Sequence, residues 1–259
     1  MRIVRRLSLF AVALAACPLM ARGQGRLASR SEISQQAAEL LNAGRSNEAR
    51  ILLLKAMRES TTPEARAVYR LEVGDSYLWD GNYTQATRTY EEVLASDDAR
   101  GVDSLTAWVH RGLALAEAFT GRTGRGASHF AQALKVPQAP NRALPDSIEA
   151  LVLTGQREAA GRALDRMAAS VGAQGEQYVH AFRALNFLLS GHCTDALAEL
   201  SKASDPDRPI PRAIRARCAA KHGRLPEAMA VRDSVLRQPV PNPFTSTAII
   251  ARDVARKVR

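Results

Sequence analysis

Apolar and alanine positions recur along this chain at the three- and four-residue spacings of amphipathic helices, and glycines punctuate the pattern. Six glycines, 32 to 40 residues apart, each stand between an apolar helical stretch and an alanine-rich one: Gly44, Gly81, Gly121, Gly155, Gly191 and Gly223. Because glycine accepts the left-handed backbone of a tight turn, each is predicted to join two antiparallel helices. The pattern therefore predicts six helix pairs in tandem.

The predicted elements are these six pairs and one last helix. First helices are expected at 30–43, 64–80, 103–120, 145–154, 176–190 and 210–222. Second helices are expected at 46–59, 83–96, 124–135, 156–170, 193–203 and 225–237. After three prolines, a helix from near Thr245 is predicted to cover the open face of the final pair, because the ends of repeat arrays need such a cap. The chain is thus divided into a repeat array at 30–238 and a proline-rich linker with a capping helix at 239–259.

The residues around the second glycine resemble a known repeat family. In LEVGDSYLWDGNYTQATRTYEEVLASDD, small residues stand at Gly74 and Ala86 and large ones at Tyr77 and Tyr90, so that small would meet large where two helices cross. This order is similar to that of the tetratricopeptide repeat, and weaker copies in phase extend the resemblance, of the exported bacterial type, over residues 30–238. The alanine position recurs at Ala49, Ala160, Ala196 and Ala228.

Two copies depart from this pattern. The third has Gly126 at the alanine position, and the fourth has Pro145, which is predicted to start a shortened first helix. The resemblance implies an all-α fold, a right-handed α-solenoid of about six helix pairs plus a C-terminal capping helix. Only 5% of the residues are aromatic and alanine is abundant, which also favours helices over strands.

The resemblance further implies a concave groove lined by the first helices, in which a peptide or protein partner binds. Carried over position by position, it gives the following groove residues: Glu72, Asp75, Trp79, Trp108, Arg111, Phe119, Glu149, Tyr178, Phe182, Leu189 and Arg217. Aromatic and arginine side chains are the usual anchors of a binding surface. The alternative is that Trp79, Phe119 and Phe182 simply pack between repeats, as most apolar residues at helical spacing do.

Two cysteines are predicted to lie at the same end of the stack. Cys193 begins the second helix of the fifth pair, and Cys218 lies near the end of the next, antiparallel helix. In an oxidising compartment this placement favours a disulfide between them, with free buried thiols as the alternative. A zinc site completed by His192 and His222 is a weaker alternative, because adjacent His192 and Cys193 cannot easily face one ion. Neither a metal nor another cofactor is expected.

The N-terminal residues 1–23 have the layout of a bacterial secretory signal peptide. Three arginines precede an apolar run of roughly ten residues, about half the length needed to cross a bilayer, and small residues follow. Cleavage after Gly23 is preferred and would release a soluble periplasmic or extracellular protein. Alternatively, Leu14-Ala15-Ala16-Cys17 resembles a lipobox, in which case Cys17 would be lipidated and would hold the protein to a membrane.

The charge distribution and the absence of common catalytic motifs argue against nucleic-acid binding and against several classes of enzyme. The formal net charge of +10 falls to +6 without residues 1–23 and their four arginines, and the remaining lysines and arginines are dispersed, so nucleic-acid binding is not expected. No nucleophile elbow, H-E-x-x-H pair or phosphate loop occurs. Three histidines lie on different predicted helices without an evident partner: His110, His129 and His180.

The sequence therefore predicts a non-catalytic protein–protein interaction scaffold of the bacterial cell envelope, which binds a peptide or protein segment in its groove. An accessory assembly subunit of an envelope or polysaccharide-export machine is the alternative, and a metal-dependent enzyme is less favoured. The identity of the partner is not legible in the sequence.

Overall fold

The structure is a computed structural model that describes residues 32–136, 140–203, 205 and 207–258. The predicted signal peptide and the candidate lipidation site Cys17 lie outside these residues. Thirteen α-helices make up the described part of the chain: α1 Glu32–Asn42, α2 Ser46–Glu59, α3 Pro63–Asp80, α4 Tyr83–Ala95, α5 Asp103–Phe119, α6 Thr123–Ala133, α7 Pro140–Leu153, α8 Arg157–Ala168, α9 Ala173–Leu189, α10 Cys193–Leu200, α11 Pro209–Lys221, α12 Leu225–Arg237 and α13 Ser246–Arg256.

The helices follow one another as a stack of pairs. Each helix packs against the next in sequence, and the first helices α1, α3, α5, α7, α9 and α11 also pack side by side, forming what we call the inner row. The described residues contain no strand. The predicted all-α array of six helix pairs followed by one more helix is confirmed. The fourth pair differs, because α7 begins at Pro140 and Pro145 lies inside it, so the prediction that Pro145 starts this helix is wrong. A proline inside a helix removes the hydrogen bond to the carbonyl four residues earlier.

The turns within the pairs have the predicted geometry. All six turn glycines adopt left-handed backbone, with φ between 74° and 85°. After α3, the Asn82 N–H donates a 2.8 Å hydrogen bond back to the Tyr77 carbonyl around Gly81, which is the Schellman arrangement that closes a helix end. Spacing and residue type were therefore sufficient to place these turns.

The second and third pairs are joined around the buried Tyr90 ring. A Cβ atom on Gly74 would come within 2.6 Å of that ring, and one on Gly112 within 2.4 Å, so the ring lies directly against both backbones. The Tyr90 hydroxyl donates a 2.6 Å hydrogen bond to Asp75 Oδ1. Burial, followed by the nearby Asp75 carboxylate, raises the pKa of Tyr90 well above its usual value. Small residues on two inner helices thus make room for one large residue between them.

Cys193 and Cys218 stand as a disulfide pair, with their Cα atoms 5.4 Å apart. The bond would tie the start of α10 to the end of α11, as the sequence spacing suggested. Oxidation in the isolated protein stays a prediction, which the mass of the alkylated, unreduced chain would check.

Candidate functional site

The chain's own C-terminal segment, residues 239–258, covers much of the inner row. α13 packs along α11 and α12 and also contacts α3, so it reaches well beyond the final pair that it was predicted to cap. Its residues Ile249, Ile250 and Val254 are buried in the main hydrophobic core. That core also contains side chains of α5, α9 and α11. The surface predicted as an open groove is therefore largely filled.

Cationic side chains of α13, and of Lys257 directly after it, meet the C-terminal ends of two inner helices. The Arg252 guanidinium lies over the Trp79 ring, 3.9 Å from its centre, and its Nε donates a 3.3 Å hydrogen bond to the Trp79 carbonyl. Arg256 donates to the same carbonyl, and Lys257 Nζ donates a 3.2 Å hydrogen bond to the Phe119 carbonyl. Both carbonyls belong to last helical turns, where the helix dipole attracts cations. Burial lowers the pKa of Arg252 to about 10.

Asp253 provides the opposite charge on α13. It accepts a hydrogen bond from the Tyr83 hydroxyl and pairs with Lys257 at 2.8 Å. Burial, together with the Asp253 charge, raises the pKa of Tyr83 above its usual value. Arg217 on α11 is half-buried; burial lowers its pKa, while the Asp253 charge acts in the opposite direction. Charged groups on α13 are thus matched to groups on the array.

Residues 239–245, which we call the linker, bind the first pair. Asn42 pairs with both backbone groups of Val240: its Nδ2 donates a 2.9 Å hydrogen bond to the carbonyl, and its Oδ1 accepts a 3.0 Å hydrogen bond from the N–H. Phe244 is 7% exposed and shares a small hydrophobic core with Leu41 and Trp79. These contacts join residues that are close to 200 positions apart in the sequence.

The predicted site residues Arg111 and Glu149 form a charged cluster beside the start of α13. Arg111 pairs with Asp146 at 3.0 Å and with Glu149 at 2.8 Å. Ser246 donates to Glu149 at 2.8 Å and accepts a 3.0 Å hydrogen bond from Arg111. Burial opposes the charge on Arg111, but Glu149 and Asp146 outweigh it and raise the pKa of Arg111. The hydrogen-bonding groups of the Arg111 guanidinium are therefore engaged by residues of the same chain.

The structure separates the predicted groove residues into two sets. Six are buried and do not line an open groove: Glu72, Asp75, Trp79, Phe119, Glu149 and Phe182. Neighbouring helices or the C-terminal segment cover all six. The expected exposure is therefore wrong for Glu72, Asp75 and Glu149, whereas Trp79, Phe119 and Phe182 pack in the core, as the alternative interpretation had it. Five are half-buried: Trp108, Arg111, Tyr178, Leu189 and Arg217. Of these, only Trp108 and Arg111 line the open cleft described next.

An open cleft of about 440 Å³ remains between α5, α6 and the linker. Its walls include Trp108 and Arg111 on α5, and Phe130 and Leu134 at α6. Phe244 of the linker lies at its edge, so the cleft adjoins the pocket that holds this ring. Leu134 is 37% exposed, which makes it one of the few large apolar side chains on the described surface. The cleft thus combines aromatic, aliphatic and cationic groups.

The sequence prediction missed Phe130, Leu134 and Phe244. It took groove positions only from first helices, whereas these residues belong to a second helix, its end and the linker. The only available signal for Phe244 was an isolated aromatic residue within a proline-rich stretch.

A histidine pair lies on α5 and α6. The Nδ1 atoms of His110 and His129 are 3.1 Å apart and the rings are stacked. A hydrogen bond between two Nδ1 atoms needs one donor and one acceptor, so at least one ring must be neutral. Burial, and then the charge of the partner ring, lower the pKa of His110. The sequence showed no evident partner for these two residues or for His180; the structure gives all three a partner, and His180 Nδ1 lies 2.7 Å from Glu199 Oε1.

Acidification is expected to destabilise the protein through this histidine pair. Burial also lowers the pKa of His129, a shift that Glu117 and Glu91 oppose and Arg125 reinforces, while Lys135 lowers the pKa of His110. A histidine with a lowered pKa binds fewer protons when folded, so its contribution to stability is present above about pH 6.5 and is lost as the pH falls. The free energy of unfolding, measured with urea from pH 7.5 to 5, should fall more steeply for wild type than for His129→Gln.

Equal slopes for the two proteins would contradict this assignment. A His192→Gln variant is the control, because it removes an exposed histidine and leaves the His110–His129 contact in place.

Two further properties concern the described residues. They contain no group of three or more histidine, cysteine, aspartate or glutamate side chains placed to hold a metal ion. None of their helices combines the length and the apolar character that a membrane span requires.

Comparison with known proteins yielded structural similarity only. No protein-family description and no curated protein sequence matches the chain. The chain is similar to the crystal structure of a tetratricopeptide repeat protein from Parabacteroides merdae, with 13% identity, a TM-score of 0.40, and 87% of this chain and 98% of that chain covered. It is also similar to a thermophilic tetratricopeptide repeat protein of Thermus thermophilus, with 21% identity, a TM-score of 0.36, and 85% of this chain and 96% of that chain covered.

The geometry itself defines the class of fold. Six helix pairs have glycine turns and pack in sequence order, and two glycines lie against the Tyr90 ring between the second and third pairs. This is an α-solenoid of helical hairpins, and the C-terminal segment covers much of its inner row.

Proposed function

We propose that this chain is a non-catalytic protein-interaction scaffold of the bacterial cell envelope. The feature that carries the proposal is the open cleft, where Trp108 and Leu134 remain accessible beside Arg111 and Phe130. Aromatic side chains surrounded by apolar contacts are typical anchors for a partner protein. An α-solenoid presents such anchors on a rigid surface.

The charged groups of the cleft favour binding over catalysis. Arg111 is held by Asp146 and Glu149 at 3.0 and 2.8 Å, so the pairing neutralises a charge that a catalytic site would direct at a substrate. The proposed envelope location rests on the N-terminal sequence. The N-terminal residue of the protein recovered from the periplasmic and membrane fractions of bacteria would test it: Gln24 in the periplasm supports release, a lipidated Cys17 in the membranes supports attachment, and an uncleaved Met1 in the cytoplasm would contradict export.

Site-specific photo-crosslinking tests the binding proposal. A photoreactive phenylalanine analogue is placed at Leu134 in the cleft or, as the matched control, at Ile51, which is 66% exposed on α2. Irradiation of intact cells should give a defined adduct from position 134 and not from position 51, and the purified partner should then bind wild type more tightly than Trp108→Ala. Identical adducts from both positions, or unchanged binding by Trp108→Ala, would contradict the cleft as the site.

A further inference from the structure

We infer that the C-terminal end of the array, α11–α13, docks on the surface of an anionic phospholipid membrane, with Leu225 and Met229 of α12 entering the headgroup region. This surface is distinct from the cleft, because no residue of α12 lines the cleft walls. The inference therefore goes beyond the proposed function: it adds attachment to a lipid surface through side chains of the folded chain.

The net charge of the chain is concentrated at this end. From residue 205 to residue 258, eleven lysines and arginines stand against five aspartates and glutamates. Residues 32–203 instead carry eighteen lysines and arginines and twenty-one aspartates and glutamates. The basic residues are spread along the whole chain, but their surplus over acidic residues is confined to α11–α13 and the segments beside them. Such a surplus attracts anionic surfaces.

The ion pairs within the C-terminal end leave this surplus in place. Four of its five carboxylates are already paired with a cation: Asp205, Glu227, Asp233 and Asp253. Several other cations donate their hydrogen bonds to uncharged groups, which position a cation without cancelling its charge. These are Arg212, bound to Ser234 and Gln238, Lys221, bound to the Gly191 carbonyl, and Arg252 and Arg256, which share the Trp79 carbonyl.

Two large apolar side chains are exposed on α12. Leu225 is 42% exposed and Met229 is 40% exposed. They are four residues apart and therefore lie on the same side of the helix. Among the described residues, no other helix carries two large apolar side chains that are this exposed. An unbranched methionine beside a leucine gives α12 a flexible apolar contact.

Exposed cations lie beside this apolar pair. Lys221 and Arg224 flank the turn that leads into Leu225, and both are exposed. The end of α13 reaches the same place, because Val258 packs in a small core with residues of α11 and α12, and the exposed Lys257 directly precedes it. A short apolar stripe with lysine and arginine at its edge is typical of a helix that lies on a membrane surface.

The combination favours a lipid surface over other anionic partners. Nucleic acids and acidic polysaccharides attract cations, but they offer no apolar phase for Leu225 and Met229. A protein interface of standard size buries about 800 Å² on each partner around a core that is poor in charged residues, whereas this apolar pair is small and has cations at its edge. An anionic leaflet supplies both the charge and the apolar layer.

The test measures binding to lipid vesicles by co-sedimentation. It uses the chain from Gln24 onward, because the four arginines and the apolar run of residues 1–23 would themselves bind lipid. Vesicles of equal parts phosphatidylglycerol and phosphatidylcholine should bind the protein at least about tenfold more tightly than vesicles of phosphatidylcholine alone. This preference should weaken as the salt concentration rises, because salt screens the charges.

Substitution of the apolar pair tests where the membrane is met. Leu225→Gln combined with Met229→Gln should lower the affinity for the anionic vesicles at least about fivefold, without a change in net charge. Ile51→Gln is the matched control, because Ile51 is 66% exposed but lies on α2, outside the basic end, and this variant should bind like wild type. All these side chains are exposed, so circular dichroism should show the same helicity for each variant.

A fluorescent probe reports contact with the apolar layer directly. Leu225→Trp is placed in a Trp108→Phe background, in which the buried Trp79 gives a constant signal. Anionic vesicles with brominated acyl chains should quench the tryptophan at position 225, because bromine quenches on contact. Ile51→Trp in the same background should not be quenched.

Three results would overturn the inference. The first is equal binding to anionic and neutral vesicles. The second is unchanged vesicle binding by the Leu225→Gln, Met229→Gln variant together with no quenching at position 225, which would leave only attraction between charges. The third is binding of heparin or duplex DNA as tight as that of vesicles and fully retained by this variant, which would assign the surface to a soluble polyanion. None of these results affects the adduct expected at position 134, so the proposed function is tested separately.

Discussion

Replacing Ile250 by aspartate is expected to lower the free energy of unfolding by at least about 3 kcal/mol. Ile250 is 0% exposed and lies in the core shared by α13 and the inner row. The substitution loses the burial of a large aliphatic side chain, and it also places an ionisable group where no partner has been provided. Either the carboxylate remains buried at high cost, or α13 leaves the inner row and uncovers its apolar surface.

Ile51→Asp is the matched control for this prediction. Ile51 is also in a helix but is 66% exposed, so the same chemical change there should alter stability by less than about 1 kcal/mol. Urea unfolding followed by circular dichroism gives both values.

Trp79 fluorescence reports whether α13 has moved. Trp79 is 1% exposed and is covered by Arg252, so detachment of α13 should shift its emission to the red. A Trp108→Phe background removes the other tryptophan. If Ile250→Asp is as stable as Ile51→Asp, with unchanged emission, α13 is not part of the folded core and the description of a filled inner face fails.

The pairs of helices could be predicted because their signals are local. A glycine that must take positive φ, such as Gly81, and the alternation of small and large residues around it specify a helical hairpin within some thirty residues. Each repeat contains its own turn glycine and its own small and large residues, so each helical hairpin can be predicted without knowledge of the others. Even the irregular fourth pair was located, and only its first helix was placed too late.

The state of the inner face could not be predicted in the same way. Whether Trp79 is exposed depends on Arg252, Arg256 and Phe244, which follow it by more than 160 residues. The family resemblance gave the direction in which each side chain points, but not what lies opposite. One signal was available: Ile249 and Ile250 are adjacent, so they cannot lie on one narrow stripe, which indicates a last helix buried on a wide face.

The His110–His129 contact illustrates a different limit. The two residues lie on either side of the predicted turn at Gly121, at positions where antiparallel helices could bring them together. Their contact depends on the rotation of each helix about its axis, which differences of one residue in helix start and end leave undetermined.

Replacing Gly112 by valine is expected to lower the free energy of unfolding by about 2–4 kcal/mol. A Cβ atom at Gly112 would lie 2.4 Å from the Tyr90 ring. The ring cannot move away, because the Gly74 backbone lies against it on the other helix: a Cβ atom at Gly74 would lie 2.6 Å from the same ring. Its hydroxyl is also held by Asp75 at 2.6 Å. Two pairs of helices must therefore separate to admit the new side chain.

Gly161→Val provides the matched control, because Gly161 lies inside α8 and a Cβ atom there meets nothing within 4 Å. Its effect should stay within about 0.5 kcal/mol of zero, since it changes only helix propensity and no packing. A loss at Gly161 as large as that at Gly112 would show that valine itself, and not the Tyr90 ring, causes the effect.

A double-mutant cycle with Tyr90→Leu identifies the cause directly. Tyr90→Leu removes the ring and its hydrogen bond to Asp75, so it is destabilising alone, but it also leaves space beside Gly112. The double variant should therefore lose at least about 1 kcal/mol less than the two single losses added together, as expected for residues in direct contact. If the losses in free energy of unfolding are additive, Gly112→Val destabilises the protein for a reason other than contact with Tyr90. The packing of glycines against the Tyr90 ring would then not be what holds the second and third pairs in register.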